Sequence, residues 1–272
     1  MKKFTALLLT FVLLTGNLFQ VMASADSLAS IGIEGTKKKT VKILLIGNSY
    51  TKYNDSGDIL SRICKSAGQK ANVTTVAQNG AALYMYANKK TRLGRRVRQL
   101  LKNQKWDYVV LQDRHFLPLT APGKTRKAIL KLKPYIEASG AKLALFMTWV
   151  PALGHQDYEE FDDLITSRKD YQAKIAASCE RIAKAVDAIV IPTGISFYNT
   201  QKQKTGIRLL DKDKTHPSYA GSYLSACTMY TTLFNDSPRV SYTGELKAKE
   251  AKLLQNNARN TVKEYKKEGS KL

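Results

Sequence analysis

The chain has 272 residues, with 44 lysines and arginines against 22 aspartates and glutamates, giving a formal net charge of +22. Hydrophobic residues make up 43% of it, enough for a sizeable core, which excludes a disordered polyelectrolyte. Three cysteines, Cys64, Cys179 and Cys227, exclude a fully paired disulfide framework, and their spacing is not that of a zinc site. They read as small buried hydrophobes, with room for one disulfide.

Met1-Lys2-Lys3 is a basic start, Phe4 to Thr15 is an almost unbroken apolar run, and Ala23-Ser24-Ala25 supplies small residues at a cleavage position. This is the pattern of a secretory signal peptide over residues 1–25. The apolar run falls short of the roughly 20 residues of a comfortable membrane span. Residues 26–40 read as a linker ending in Lys37-Lys38-Lys39, and residues 41–272 as one domain. The expectation is a secreted or cell-surface protein, cleaved after Ala25. Removing Lys2 and Lys3 leaves a net charge of +20. Such a field attracts polyanions. For an exported protein, anionic wall polymer or a membrane surface fits as partner, and nucleic acid is not expected. The basic residues are spread over most of the chain, which favours a solvated lysine-rich surface over a dedicated site.

From Val41 onward, strand and helix patterns alternate. Val41–Ile46 reads as a buried strand. Ile59, Leu60, Ile63, Cys64 and Ala67 recur at helical spacing up to Gly68, which suits a helix end. Val73–Ala77 reads as a second strand. Leu93, Val97, Leu100 and Leu101 mark a helix with a basic outer face. Tyr108–Leu111 follows as a strand, 128–138 as a helix, and 143–147 as a fourth strand. A helix through Tyr171 and Val186 leads to a fifth strand at Ile189–Ile191. Two more helices are expected at Tyr219–Phe234 and near 245–265. Continuous apolar strands alternating with amphipathic helices imply a parallel sheet covered on both faces. Ligands then bind at the carboxyl ends of the strands.

At the first strand end stands Gly47-Asn48-Ser49-Tyr50. A serine hydroxyl there is a nucleophile if a base lies within hydrogen-bond reach, and the following helix start offers N–H donors to an oxyanion. Alone, Ser49 reads more readily as a cap. The loop has neither the glycine pattern of a dinucleotide site nor that of a phosphate loop. The partner comes from Asp213-Lys214-Thr215-His216-Pro217: Asp213 could fix the His216 tautomer and leave its other nitrogen for Ser49. His115 and His155 sit in loops after strands without a carboxylate at a helpful near spacing. Trp149, Tyr50, Tyr53, Tyr84 and Tyr86 could stack on a sugar or simply pack.

Ser49 in Gly47-Asn48-Ser49, Gly80 in Gln78-Asn79-Gly80, and Asp213-x-x-His216 resemble the blocks of the SGNH (GDSL-like) hydrolase family, over roughly 41–234. The resemblance implies a three-layer α/β/α, flavodoxin-like fold with a five-stranded parallel sheet. It implies an ester hydrolase of bacterial type that needs no cofactor and no metal. Ser49 would be the nucleophile, with His216 and Asp213 completing the triad. Ser49 and Gly80 N–H groups would form the oxyanion hole, together with the side chain of Gln112, which stands where the family carries asparagine. Asn48, where the family carries aspartate, would brace the turn; from their positions near the strand ends, Asn48, Tyr50, Trp149 and His115 are also candidates to line the substrate. Gln112, as in some sugar-acetyl esterases, points to acetyl groups on a carbohydrate. The alternatives are a GDSL-like lipase or lysophospholipase acting on lipid, an acyltransferase, and a non-catalytic surface protein binding anionic wall polymer.

Overall fold

The computed structural model describes residues 39–269. The expected signal peptide and nearly all of the expected linker lie outside the described residues. In chain order come β1 (Val41–Gly47), α1 (Ser49–Lys52), α2 (Ser56–Ser66), β2 (Ala71–Ala77), α3 (Leu83–Ala87), α4 (Arg92–Asn103), β3 (Tyr108–Leu111) and α5 (Leu117–Thr120). They continue as α6 (Pro122–Ala138), β4 (Lys142–Phe146), α7 (Asp157–Glu160), α8 (Arg168–Val186), β5 (Ile189–Ile191), α9 (Thr193–Lys202), α10 (Tyr219–Phe234) and α11 (Ala248–Glu268).

The five strands pair in parallel in the order β2-β1-β3-β4-β5. β1 explains the three layers. Ile43 and Leu45 point to one face, where they join a core built with α2, α10 and α11. Leu44 and Ile46 point to the other, against α3, α4, α6 and α8. A strand buried on both faces has no polar positions to alternate with, so its sequence is an apolar run. Each of these four side chains is fully buried and contributes roughly 1.5–3 kcal/mol. The three-layer α/β/α architecture with a five-stranded parallel sheet is the one expected.

Some elements differ from expectation. β2 begins at Ala71, α6 begins at Pro122, and the last helix runs over Ala248–Glu268. The sequence reading contained no helix at α9, whose segment TGISFYNTQK carries no apolar stripe. Its buried residues, Thr193, Gly194, Ile195, Ser196, Phe197 and Thr200, are mostly small or polar. Gly194 lets the helix press onto the Thr148 carbonyl, which a Cβ would strike. Cys64, Cys179 and Cys227 are free and buried, in α2, α8 and α10.

Candidate active site

β1 ends on Gly47 because nothing larger fits: a Cβ there would collide with the Gln112 side-chain carbonyl and the Thr51 hydroxyl. Asn48 then caps α1, its backbone extended and its Oδ1 accepting the Tyr50 N–H at 3.0 Å. Ser49 is thereby the first residue of α1, where a backbone N–H has no partner inside the helix.

The facing group comes from the loop before α10. Asp213 Oδ1 accepts the N–H groups of Thr215 and His216 at 3.0 and 2.9 Å. Its Oδ2 lies 2.5 Å from His216 Nδ1, and His216 Nε2 lies 2.8 Å from Ser49 Oγ. With Nδ1 donating to the carboxylate, Nε2 is left as an acceptor for the serine proton. Desolvation opposes ionisation of Asp213, but the Thr215 N–H and the His216 ring and N–H outweigh it and hold the carboxyl below its ordinary pKa. Ser49, His216 and Asp213 are therefore brought together.

Several contacts that spacing does not reveal fix this loop. Lys214 adopts a left-handed backbone (φ 68°), its carbonyl accepts the Ala152 N–H at 2.8 Å, and its ammonium donates to the Gly154 carbonyl at 3.0 Å. Trp149 Nε1 donates to the Thr215 carbonyl at 3.0 Å. Asn54, also left-handed (φ 53°), donates to the Pro217 carbonyl at 2.9 Å. The Tyr53 ring stacks on the His216 imidazole at 4.3 Å.

Gly80 sits in the turn after β2 with φ 68°, a conformation open to glycine at little steric cost. Gln78 N–H donates to the Gly47 carbonyl at 3.3 Å, and Asn48 Nδ2 donates to the Ala81 carbonyl at 3.2 Å, which ties this turn to the Ser49 loop. The Arg114 guanidinium donates to the Gly80 carbonyl from the other side, at 2.8 Å from Nε.

Five expected roles are corrected. Gln112 is 1% exposed. Its Oε1 accepts the Asn48 N–H and the Thr51 hydroxyl, both at 2.8 Å, and its Nε2 donates to the Asp113 carbonyl. Its amide nitrogen is spent on Asp113 and its oxygen on the Ser49 loop, so Gln112 braces that loop and is not placed as an oxyanion donor. Asn48 spends both ends of its amide bracing the turn, as its place in the first block implies, and not on substrate. Trp149 is fully buried and Tyr50 is 6% exposed. The two rings stack at 4.6 Å, and Trp149 stacks on Phe197 at 4.1 Å, so both are packing residues. Of the tyrosines, Tyr86 is buried and donates to the Gly47 carbonyl, whereas Tyr84 is exposed.

His115 is the fifth. It does have a carboxylate partner, supplied from 42 residues away: Asp157 Oδ2 lies 2.5 Å from His115 Nε2. The same carboxylate accepts the Tyr171 hydroxyl at 2.9 Å, and its Oδ1 lies 3.0 Å from His155 Nδ1. On the other ring edge, the Tyr50 hydroxyl lies 3.2 Å from His115 Nδ1 and also bonds the Thr215 hydroxyl. Burial pushes the Tyr50 pKa up, keeping its proton available for donation. Both His115 ring nitrogens are thus engaged in a polar chain that runs from Asp157 through Tyr50 to the Thr215 hydroxyl in the His216 loop.

The molecule is a three-layer α/β/α protein with a serine, a histidine and an aspartate in hydrogen-bond sequence at the carboxyl end of its sheet. Solved structures share this fold. A candidate SGNH hydrolase from Slackia heliotrinireducens is 28% identical, with a TM-score of 0.63 over 72% of this chain and 100% of that one. A DUF4886 family protein from Bacteroides uniformis is 19% identical and has a TM-score of 0.72, over 86% and 98%. A candidate GDSL-like lipase from Parabacteroides merdae shares the fold at 14% identity and a TM-score of 0.53, over 73% and 98%. No protein-family model and no curated protein matches the sequence. At 28% identity over the whole of that chain the first of these likens the protein to an SGNH hydrolase, and the other two share its fold.

Proposed function

We propose that the protein is a serine ester hydrolase working through Ser49, His216 and Asp213. The observation that carries this reading is the 2.8 Å contact between Ser49 Oγ and His216 Nε2, with Asp213 2.5 Å behind the imidazole. Ser49 Oγ attacks the ester carbonyl carbon as its proton passes to His216 Nε2. The imidazolium, stabilised by Asp213, gives that proton to the leaving alkoxide as the C–O bond breaks. A water then attacks the acyl-serine, its proton passing to the same nitrogen and on to Ser49 Oγ as the acid leaves. The N–H groups of Ser49 and Gly80 are the donors proposed for the tetrahedral oxyanion.

A small acyl group, such as acetate, on a bulky carbohydrate is the substrate class we assign. In support, the His216 and Asp213 side chains are 24% and 46% exposed. Ser49 itself is only 8% exposed, which suits a small acyl group carried on an alcohol that stays outside. Acetyl esters should be turned over faster than octanoyl esters; the reverse order would move the assignment to lipid. Export through residues 1–25 belongs to the same proposal, and secreted protein should begin at Asp26.

Ser49→Ala tests the core of the reading. Hydrolysis of p-nitrophenyl acetate should fall by roughly 10⁴- to 10⁶-fold, and labelling by a serine-directed phosphonate should vanish. Persistent labelling would put the nucleophile elsewhere.

A further inference from the structure

The positive charge is less evenly spread than the composition suggests. The 48 residues from 59 to 106 contain eleven lysines and arginines and no aspartate or glutamate. They fold into most of α2, then β2, α3 and α4, and so gather at one edge of the sheet, where β2 is the outer strand. A groove of about 530 Å³ runs over that edge. Its floor is 74–79 of β2 and the turn after it, and its walls carry Lys52, Arg92 and Arg96. All three cations are exposed. Among the described residues none of them forms an ion pair. Cations beside an edge strand also deter edge-to-edge pairing of sheets. That role does not account for where the groove leads. Lys52 ends the short helix that Ser49 begins, and Asn79 precedes Gly80. The groove lining therefore includes the end of the Ser49 helix and the residue next to Gly80.

We infer that this groove binds an anionic, hydroxyl-rich polymer chain and feeds it to Ser49. The inference rests on the ester-hydrolase reading for its purpose and on the groove alone for its chemistry. Three cations without an ion pair, of which Arg92 donates to Gln78 Oε1 at 3.4 Å, call for regularly placed negative charges. The rest of the lining, Thr74, Thr75, Gln78 and Asn79 among it, offers hydroxyl and amide groups to hydroxyls. No aromatic side chain lines the groove, so base stacking, which single-stranded nucleic acid binding uses, has no platform there. A polyuronate and a poly(glycerol phosphate) share the required chemistry.

Binding of the mature protein to polygalacturonate, to poly(glycerol phosphate), to neutral dextran and to single-stranded DNA would be measured by calorimetry across a salt series. At least one of the two hydroxylated polyanions should bind, more weakly as salt rises, and the tighter of the two identifies the anion. Arg92→Gln with Arg96→Gln should weaken that binding about tenfold. A charge-matched pair on α11, Lys252→Gln with Lys263→Gln, should weaken it less than twofold. Equal losses in the two double variants, binding by neither polyanion, equal binding of dextran, or tighter binding of DNA would each overturn the inference. Thermal melts confirm that both double variants are folded. Ester turnover is read separately on p-nitrophenyl acetate: turnover without polymer binding removes the groove and keeps the hydrolase, and polymer binding without turnover does the opposite.

Discussion

Gln112 shows how much one side chain's direction matters. Its type and position match an oxyanion donor, but its carbonyl end faces the serine loop and its amide end donates to the Asp113 carbonyl. The two roles predict different failures. As a brace, Gln112→Ala strips the Asn48 N–H and the Thr51 hydroxyl of their acceptor inside a buried site, which costs about 1–3 kcal/mol. The urea midpoint should therefore drop, and phosphonate labelling of Ser49 should slow with it. A fall in kcat with unchanged stability would restore the donor role. Ser49, Asp213 and His216 were legible because close spacing and strand-end position constrain them. Direction was not: the sequence could not say that Trp149 and Tyr50 stack inward, or that Asn48 turns to the Ala81 carbonyl. Nor could it pair His115 with Asp157, because only the fold closes that gap.

At the level of elements, Asp157 is a junction. It starts the short helix α7, yet it holds the loop after β3 through His115, its own loop through His155, and α8 through Tyr171. Desolvation works against its charge, but the His115 ring, the Tyr171 hydroxyl and His155 prevail, and the carboxyl stays below its ordinary pKa. The unfolded chain therefore binds this proton more readily than the folded one does. Asp157 contributes stability above the unfolded carboxyl value of about 3.9, and that contribution drains away as pH falls through the lower folded value. Burial pushes Asp113 in the opposite direction, so the comparison with Asp157→Asn is what isolates the effect. The variant should lose stability at pH 6 and lose less of the remainder than the wild type on going to pH 3, by urea denaturation at each pH. Parallel curves would show that Asp157 is not charged in the fold. The fold itself was largely readable at this scale, because strands buried on both faces and helices with one apolar stripe have distinct periodicities. α9 was not, because a helix enclosed by packing and lined with small residues has no stripe to find.

At the scale of the molecule, two cores lie on the two faces of the sheet. Among the described residues no covalent cross-link supports them, since Cys64, Cys179 and Cys227 are all free. Burial pushes the Cys64 and Cys179 thiols up to about 12 and raises Cys227 as well, so little thiolate is present at neutral pH. Urea unfolding of the described domain should therefore give the same midpoint with and without dithiothreitol; a lower midpoint under reduction would reveal a cross-link.

The buried thiols bear on how such a chain can be made and handled. Folding of the described domain calls for no disulfide-forming oxidant and no disulfide isomerase, so that domain produced in a reducing cytoplasm should match the same domain produced under oxidising conditions. Full denaturation and dilution should return the same molecule without a reshuffling phase. The thiols become reactive only when the core opens, so the rate of alkylation by iodoacetamide becomes a clock for opening of the folded state.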